Sequence, residues 1–337
     1  GIAIQGRAML DRKFALRAFE FPSFSIDRVT RLSLSGRLAK SNVWRVDVKG
    51  QTYEGSSLFR SLFNAGQVKG GLNVEDAKQP GVDLQAEIKT VLGFWSSKLT
   101  DVRMTLSKRS GRLQSLQLDG RLGAGGKLRA ALVRSKAGRR ELHAFSANAG
   151  EAFRLVGFYP NARRGRLELV VDLDGRGAAE KSGVLLVRNF DILGDEVVRE
   201  MAAAPRGGVR RRPSRRAANN DGQALTFDWM RLPFLVGNGQ FILRSAELRG
   251  PVVGATLQGK ADFDARRLDV SGTYVPLQGL NGALGIIPGL GQILAGPKGE
   301  GVLGMKFAVR GPMGQPEVLV NPLSLMAPGI FREIFQI

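Results

Sequence analysis

Apolar and polar residues alternate with a period of two along much of this chain, and that alternation predicts a protein built of strands. Val102, Met104 and Leu106 point one way while Arg103, Thr105 and Ser107 point the other. Leu167, Leu169, Val171 and Leu173 oppose Glu168, Asp172 and Asp174. Leu303, Met305, Phe307 and Val309 alternate with Gly304, Lys306, Ala308 and Arg310 in the same way. A strand patterned like this has one dry face and one wet face. Each dry face needs a cover, which a second sheet, the sheet's own curvature, helices or lipid could provide.

A five-residue phrase recurs along the whole chain: apolar, any residue, apolar, polar, glycine. It occurs at Ile2–Gly6, Leu32–Gly36, Val46–Gly50, Leu116–Gly120, Val171–Gly175, Leu268–Gly272 and Phe307–Gly311, with a weaker copy at Ala255–Gly259. Each copy reads as the end of an amphipathic strand stopped by a glycine turn. The irregular spacing argues against a solenoid repeat and for consecutive hairpins in one long, mostly antiparallel sheet. Helices are expected to be few and short. Ser56 or Ser57 can cap a turn or two carrying Leu58, Phe59, Leu62 and Phe63 before Gly66. Asn148 with Glu151 is a capping arrangement for Ala149 to Phe158, with Phe153 and Val156 on one face. Leu193 to Ala204 is a third helical stretch.

Three stretches break the pattern. Ala202 to Gly222 holds six arginines, Arg206, Arg210, Arg211, Arg212, Arg215 and Arg216, among Pro, Gly, Ala and Asn, and reads as a disordered loop. Val270 to Pro297 has no charged residue but carries seven glycines and three prolines. So many breakers disfavour a membrane helix and favour short helices joined by glycine turns. Near the C-terminus, Ile330, Phe331, Ile334 and Phe335 fall on one helical face that must dock on something.

At 337 residues and 43 % hydrophobic, the chain can bury a core as one large domain or two ordinary ones. Its net charge of +20 invites a polyanion: nucleic acid, lipopolysaccharide or an anionic membrane surface. There is no cysteine, so no disulfide, thiolate nucleophile or Cys-ligated zinc is possible. His143 is the only histidine, with no catalytic set around it, and reads as a half-exposed strand residue. The run Gly123 to Lys127 departs from a phosphate loop at Arg121 and Leu128 and reads as a hairpin turn. Asp172 and Asp174 could bind a cation, but such a pair is more often a solvated face. No catalytic, cofactor or metal residue is nominated, and the chain is expected not to be an enzyme. It starts at Gly1 with no initiator Met, signal or anchor, as a piece of a longer protein would.

The stretch from Gly272 carries the most specific signal: Gly-Thr-Tyr-Val-Pro-Leu-Gln-Gly-Leu-Asn (Gly272 to Asn281), then Ile-Pro-Gly-Leu-Gly (Ile287 to Gly291). It closes on Val-Asn-Pro-Leu-Ser-Leu-Met-Ala-Pro-Gly-Ile-Phe-Arg-Glu-Ile-Phe (Val320 to Phe335). This succession resembles the C-terminal end of the AsmA-like envelope proteins of Gram-negative bacteria, in particular the YhdP branch. Asn148 to Tyr159 followed by Arg164 to Leu167, Val187 to Ile192, Gly250 to Gly259 and Leu268 to Pro276 keep the family's order. The arginine-rich loop departs from it. The resemblance implies a mainly β fold: an extended, curved sheet forming a groove, with short helices packed on it and at its C-terminal end. Residues 1–81 would continue an upstream sheet, and 82–337 would be the groove-forming region, interrupted by the loop at 202–222. It further implies a non-enzymatic periplasmic protein, anchored in the inner membrane by a helix absent from this chain, that moves phospholipid toward the outer membrane with possible envelope partners. Val102, Met104, Leu106, Leu167, Leu169, Val171, Leu303, Met305 and Phe307 are the candidate lipid contacts. The six loop arginines are candidates for an anionic surface. The alternative is a basic β-rich module for nucleic acid or acidic polysaccharide, or a purely structural envelope domain. The arginine loop itself reads as a solvated spacer, an anionic-lipid contact or a nucleic-acid tail, the last ranked lowest for want of interleaved aromatics.

Overall fold

The computed structural model describes residues 1–27, 29–63, 79–175, 180–194, 224–237, 239–251, 253–276, 305–313 and 317–321. The first four strands are β1 (Ile2–Leu10), β2 (Leu16–Ile26), β3 (Thr30–Leu38) and β4 (Val43–Glu54), followed by helix α1 (Ser56–Phe63). Then come β5 (Gly81–Leu92), β6 (Lys98–Arg109), β7 (Arg112–Leu122), β8 (Gly126–Arg134) and β9 (Arg140–Ser146), and helix α2 (Ala149–Val156). The rest is β10 (Ala162–Asp172), β11 (Glu180–Ile192), β12 (Leu225–Gly237), β13 (Gln240–Arg249), β14 (Val253–Asp262), β15 (Arg267–Pro276), β16 (Met305–Pro312) and β17 (Glu317–Asn321). All 17 strands belong to one sheet. The sheet is curved and open, as the alternation and the resemblance led one to expect. Each strand pairs with its predecessor, antiparallel everywhere except β4 and β5, which run parallel.

This order separates the two ends of the strands. Turns such as Ser110–Gly111 and Phe263–Arg266 close hairpins at one end. At the other end lie α1, a 3-10 turn at Phe94–Ser96 and α2. Strands β11 and β15 also end, and β12 and β16 also begin, at this helical end. The expected helix over Leu193 to Ala204 lies outside the described residues beyond Gly194, as does the expected loop at 202–222.

The recurring glycines correct one reading of the sequence. Gly6, Gly36, Gly50, Gly120, Gly259, Gly272 and Gly311 do not end strands; they lie inside β1, β3, β4, β7, β14, β15 and β16. In the phrase, the glycine follows the two apolar positions at a spacing of two, so it continues the dry face with no side chain. Neighbours fill the gap. A β-carbon at Gly36 would lie 2.3 Å from the Phe19 ring, and one at Gly120 would lie 2.8 Å from Leu99. Such a glycine marks close approach within a strand rather than a stop.

Helix α2 explains where the curvature is filled. Asn148 caps it: its Oδ1 accepts the Glu151 N–H at 3.1 Å. Gly157 ends it at φ 76°, with the Phe158 N–H donating to the Phe153 carbonyl at 2.9 Å. Ala149, Ala152, Phe153 and Leu155 are buried. A β-carbon at Gly150 would lie 2.5 Å from the Ala162 carbonyl, and one at Gly93 would lie 2.4 Å from the Leu155 carbonyl. Phe158 meets Phe241 edge-on, with ring centroids 6.0 Å apart. The helix and the Phe158 that follows it therefore touch the β5–β6 junction, β10 and β13. Strands so far apart in the ladder reach the same helix only because their apolar face curves around it.

Adding bulk on that face should loosen it. A β-carbon at Gly272 would lie 2.1 Å from the Thr256 carbonyl and 2.9 Å from the Phe307 ring, whereas at Gly254 the nearest atom, the Leu248 carbonyl, is 3.8 Å away. Gly272→Val is expected to lower unfolding stability by about 1–3 kcal/mol, the range for overpacking. Gly254→Ala should change it by less than about 1 kcal/mol. Urea midpoints of the two variants check this.

Candidate functional site

The register between strands assembles the dry faces into continuous rows. From Leu34 on β3, successive partners are Val48, Ala86, Met104, Leu118, Ala130, Ala144, Leu169, Leu185 and Leu232. Beyond the bulge between β12 and β13 the row resumes as Ala246, Leu257, Gly272, Phe307 and Val320. A second row, nearer the helical end, pairs Ile88 with Val102 and later Leu167 with Val187, Met230 and Leu248. A third, nearer the hairpin end, contains Leu84, Leu106 and Leu116, and further on Leu142, Val171, Gly183, Phe234 and Leu243. At strand spacing, the middle row is about 67 Å long, measured along the ladder. None of these positions carries an ionisable side chain.

The residues nominated from sequence fall on these rows. Met104, Leu169 and Phe307 occupy the middle one; Val102 and Leu167 lie toward the helices, and Leu106 and Val171 toward the hairpins. The backbone of Met305 pairs with Tyr274 in the helical-side row. Leu303, the terminal face Ile330, Phe331, Ile334 and Phe335, and the six loop arginines lie outside the described residues, as does the side chain of Met305.

Burial divides the set. Val102, Leu167 and Phe307 are 5 %, 7 % and 7 % exposed and belong to the packed core. Met104, Leu106, Leu169 and Val171 are only half-buried, as are Leu116, Leu118, Leu132 and Leu142 beside them. Among the described residues, the rows are thus closed around α2 and across β11–β13, and only half-covered across β3–β9 apart from the buried Ala86 and Val102. The sequence reading did not nominate Leu116, Leu118, Leu132 and Leu142. Leu116 and Leu118 carried a usable signal, since they begin one of the glycine phrases. Leu132 is masked by the run Ala130 to Val133, which does not alternate.

The wet face carries charge in register. Lys49, Glu87, Arg103, Asp119 and Arg129 follow one another across β4–β8 with alternating sign. Arg129 Nε lies 3.2 Å from Asp119 Oδ1. Such exposed pairs contribute a few tenths of a kcal/mol each, enough to favour one register over its neighbours.

Polar groups elsewhere are tied into the scaffold. His143 is half-buried on β9, its Nε2 2.9 Å from Glu141 Oε2. Gly123 to Gly125 form the β7–β8 turn, with φ 54° and 97° at the two glycines. Strand β10 ends at Asp172, and Asp174 falls in the following turn. Both carboxylates are taken by guanidinium groups, Asp172 by Arg139 and Asp174 by Arg140. Among the described residues, no group of three or more His, Cys, Asp and Glu is placed to hold a metal ion. No described helix is long and apolar enough to cross a membrane.

The Arg140–Asp174 pair links three neighbouring parts of the sheet. Asp174 accepts the Arg140 backbone N–H at 2.7 Å, and Arg140 Nη1 donates to the Leu113 carbonyl at 2.7 Å. The hydrogen-bonded guanidinium holds the Asp174 carboxyl down to about 2, against 3.8 ordinarily. A depressed folded value means that the pair stabilises above the unfolded value and loses its effect as pH falls toward the folded one. Urea midpoints are therefore expected to drop between about pH 4 and pH 2, and Asp174→Asn should lower the midpoint at neutral pH and flatten that drop. No protein-family model, curated protein or solved structure matches this chain.

Proposed function

We propose that the chain handles lipid without catalysing a reaction, by offering the open part of its apolar face to acyl chains. The observation that supports this reading is the continuity of the middle and hairpin-side apolar rows, which the described residues leave half-buried from β3 to β9 except at Ala86, with no ionisable group among them. A contiguous apolar surface left partly open is the kind that takes an apolar ligand or partner. Its shape suits a flexible hydrocarbon chain: a long strip walled by a curved sheet, with headgroups left at the open side. In keeping with the resemblance to the YhdP branch, the proposed setting is the periplasm, and the cargo phospholipid passing between the inner and outer membranes. An anchor outside these residues would hold the protein in the inner membrane.

Placing a charge on the floor separates this from a closed structural core. Leu169→Asp and Leu106→Asp can keep the carboxylate hydrated in an open groove, so their stability should fall by no more than about 1–2 kcal/mol. Val187→Asp, at a position 0 % exposed, should unfold the protein. Mass spectrometry of the parent protein, purified without detergent, is expected to find phospholipid. The two groove variants should carry little or none. Unfolding of both to the extent of Val187→Asp, with no lipid in the parent, would overturn the proposal.

A further inference from the structure

We propose that the opposite, convex face carries a basic rail that seats the sheet on an anionic bilayer surface. Near the helical end of the strands, Arg121 on β7 pairs directly with Lys127 on β8. The Ala147 N–H donates to the Lys127 carbonyl at 2.9 Å. Leu167 pairs with Ser146, which places Arg166 beside Ala147. Arg166 then pairs with Arg188, Arg188 with Trp229, and Trp229 with Arg249. Seven adjacent strands thus present five cations and a tryptophan in one line, about 29 Å long at strand spacing. All five cations are exposed, and Trp229 is half-buried.

Acids come near this line without neutralising it. Asp101 lies 3.8 Å from Arg121, both well exposed. Asp119, Glu168 and Glu247 occupy the next row, and Asp228 precedes Trp229. Lys127, Arg166, Arg188 and Arg249 have no ion pair among the described residues. This contrasts with the neighbouring row, where Lys49, Glu87, Arg103, Asp119 and Arg129 alternate in sign. Like charges placed directly opposite each other weaken a strand pair. Arg121 with Lys127 and Arg166 with Arg188 therefore work against the ladder unless an anion outside the protein offsets them.

The geometry of the line points to a broad surface. Cations spread along about 29 Å of sheet match a field of phosphates better than a single anion. Trp229, with an apolar body and one N–H, suits the headgroup level of a bilayer. A single-stranded nucleic acid would need a series of aromatic platforms for successive bases, and this line has only one. The rail lies on the face opposite the apolar groove, so it can be tested apart from the groove's cargo.

The test uses the whole chain, vesicles of phosphatidylcholine with or without phosphatidylglycerol, and the variant Arg166→Gln/Arg188→Gln/Arg249→Gln. These positions are exposed, so the variant should fold with an unchanged or slightly raised urea midpoint. Its affinity for phosphatidylglycerol vesicles is expected to fall roughly fivefold per arginine, about a hundredfold in all, while any lipid held in the groove stays. The arginines between 206 and 216 remain in the variant, so a loss reports on the rail. In a Trp44→Phe/Trp95→Phe background, Trp229 emission should shift to the blue on phosphatidylglycerol vesicles and stay put on neutral ones. Parental vesicle affinity in the triple variant would overturn the proposal. So would a loss confined to oligonucleotide binding at matched salt, which would make the rail a nucleic-acid surface instead.

Discussion

The hydrogen-bond register between neighbouring strands is the constraint on which everything else in this molecule depends. Side chains alternate faces with a period of two, so a slip of one residue between β5 and β6 would put Arg103 on the apolar floor and Met104 in water. The convex charges resist that slip, because each alternates in sign with its neighbours across the ladder. Where the chain must bend, the disturbance is shared by adjacent strands. Gln51, Lys89 and Asp101 are the extra residues of β4, β5 and β6 at one level, with Asp101 at φ 52°. Asn189, at φ 53°, plays the same part on β11 beside Arg164 and Gly165. Because neighbours bulge together, the sheet gains curvature and still keeps its faces in step.

Curvature in turn has to be filled on the inside. A flat sheet of this length would leave its dry face uncovered, and a tightly closed one would have no room for bulky side chains on every strand. Bare glycines under Phe19, Phe234 and Phe307 let aromatic rings lie across the backbone of the next strand. The eight-residue helix α2 then occupies the concavity, held by its Asn148 cap and by Leu155 against Gly93. Packing is consequently dense near the helices and across β11–β13, and thinner across β3–β9. Among the described residues, that gradient makes one part of a single apolar face a core and leaves another part half-covered.

The two faces suit different partners. The concave one carries no ionisable group along its rows, whereas the convex one carries alternating charge across β4–β8 and uncompensated arginines near the helical end. Asp172, Asp174 and Asp191 all accept from arginines and tie neighbouring parts of the sheet together.

Much of this was legible in the sequence. Period-two alternation determines strands and their faces because the pleat forces it, so Met104, Leu106, Leu169 and Val171 could be assigned to one face before any pairing was known. The Asn148–Glu151 cap determined α2 because its hydrogen bond is local. Other features were decided only by tertiary structure. The phrase ending in glycine cannot say whether the glycine turns the chain or lies under a ring, since that depends on which residue the next strand brings opposite. A bulge at Asp101 or Ser245 shifts the buried face by one residue, so Leu99 and Val102 are both buried although three apart, and no local pattern announces it. Exposure likewise depends on curvature. Leu167 and Leu169 are alike in sequence, yet one packs in the core around α2 and the other stays half open, because burial is set by what the sheet curls around.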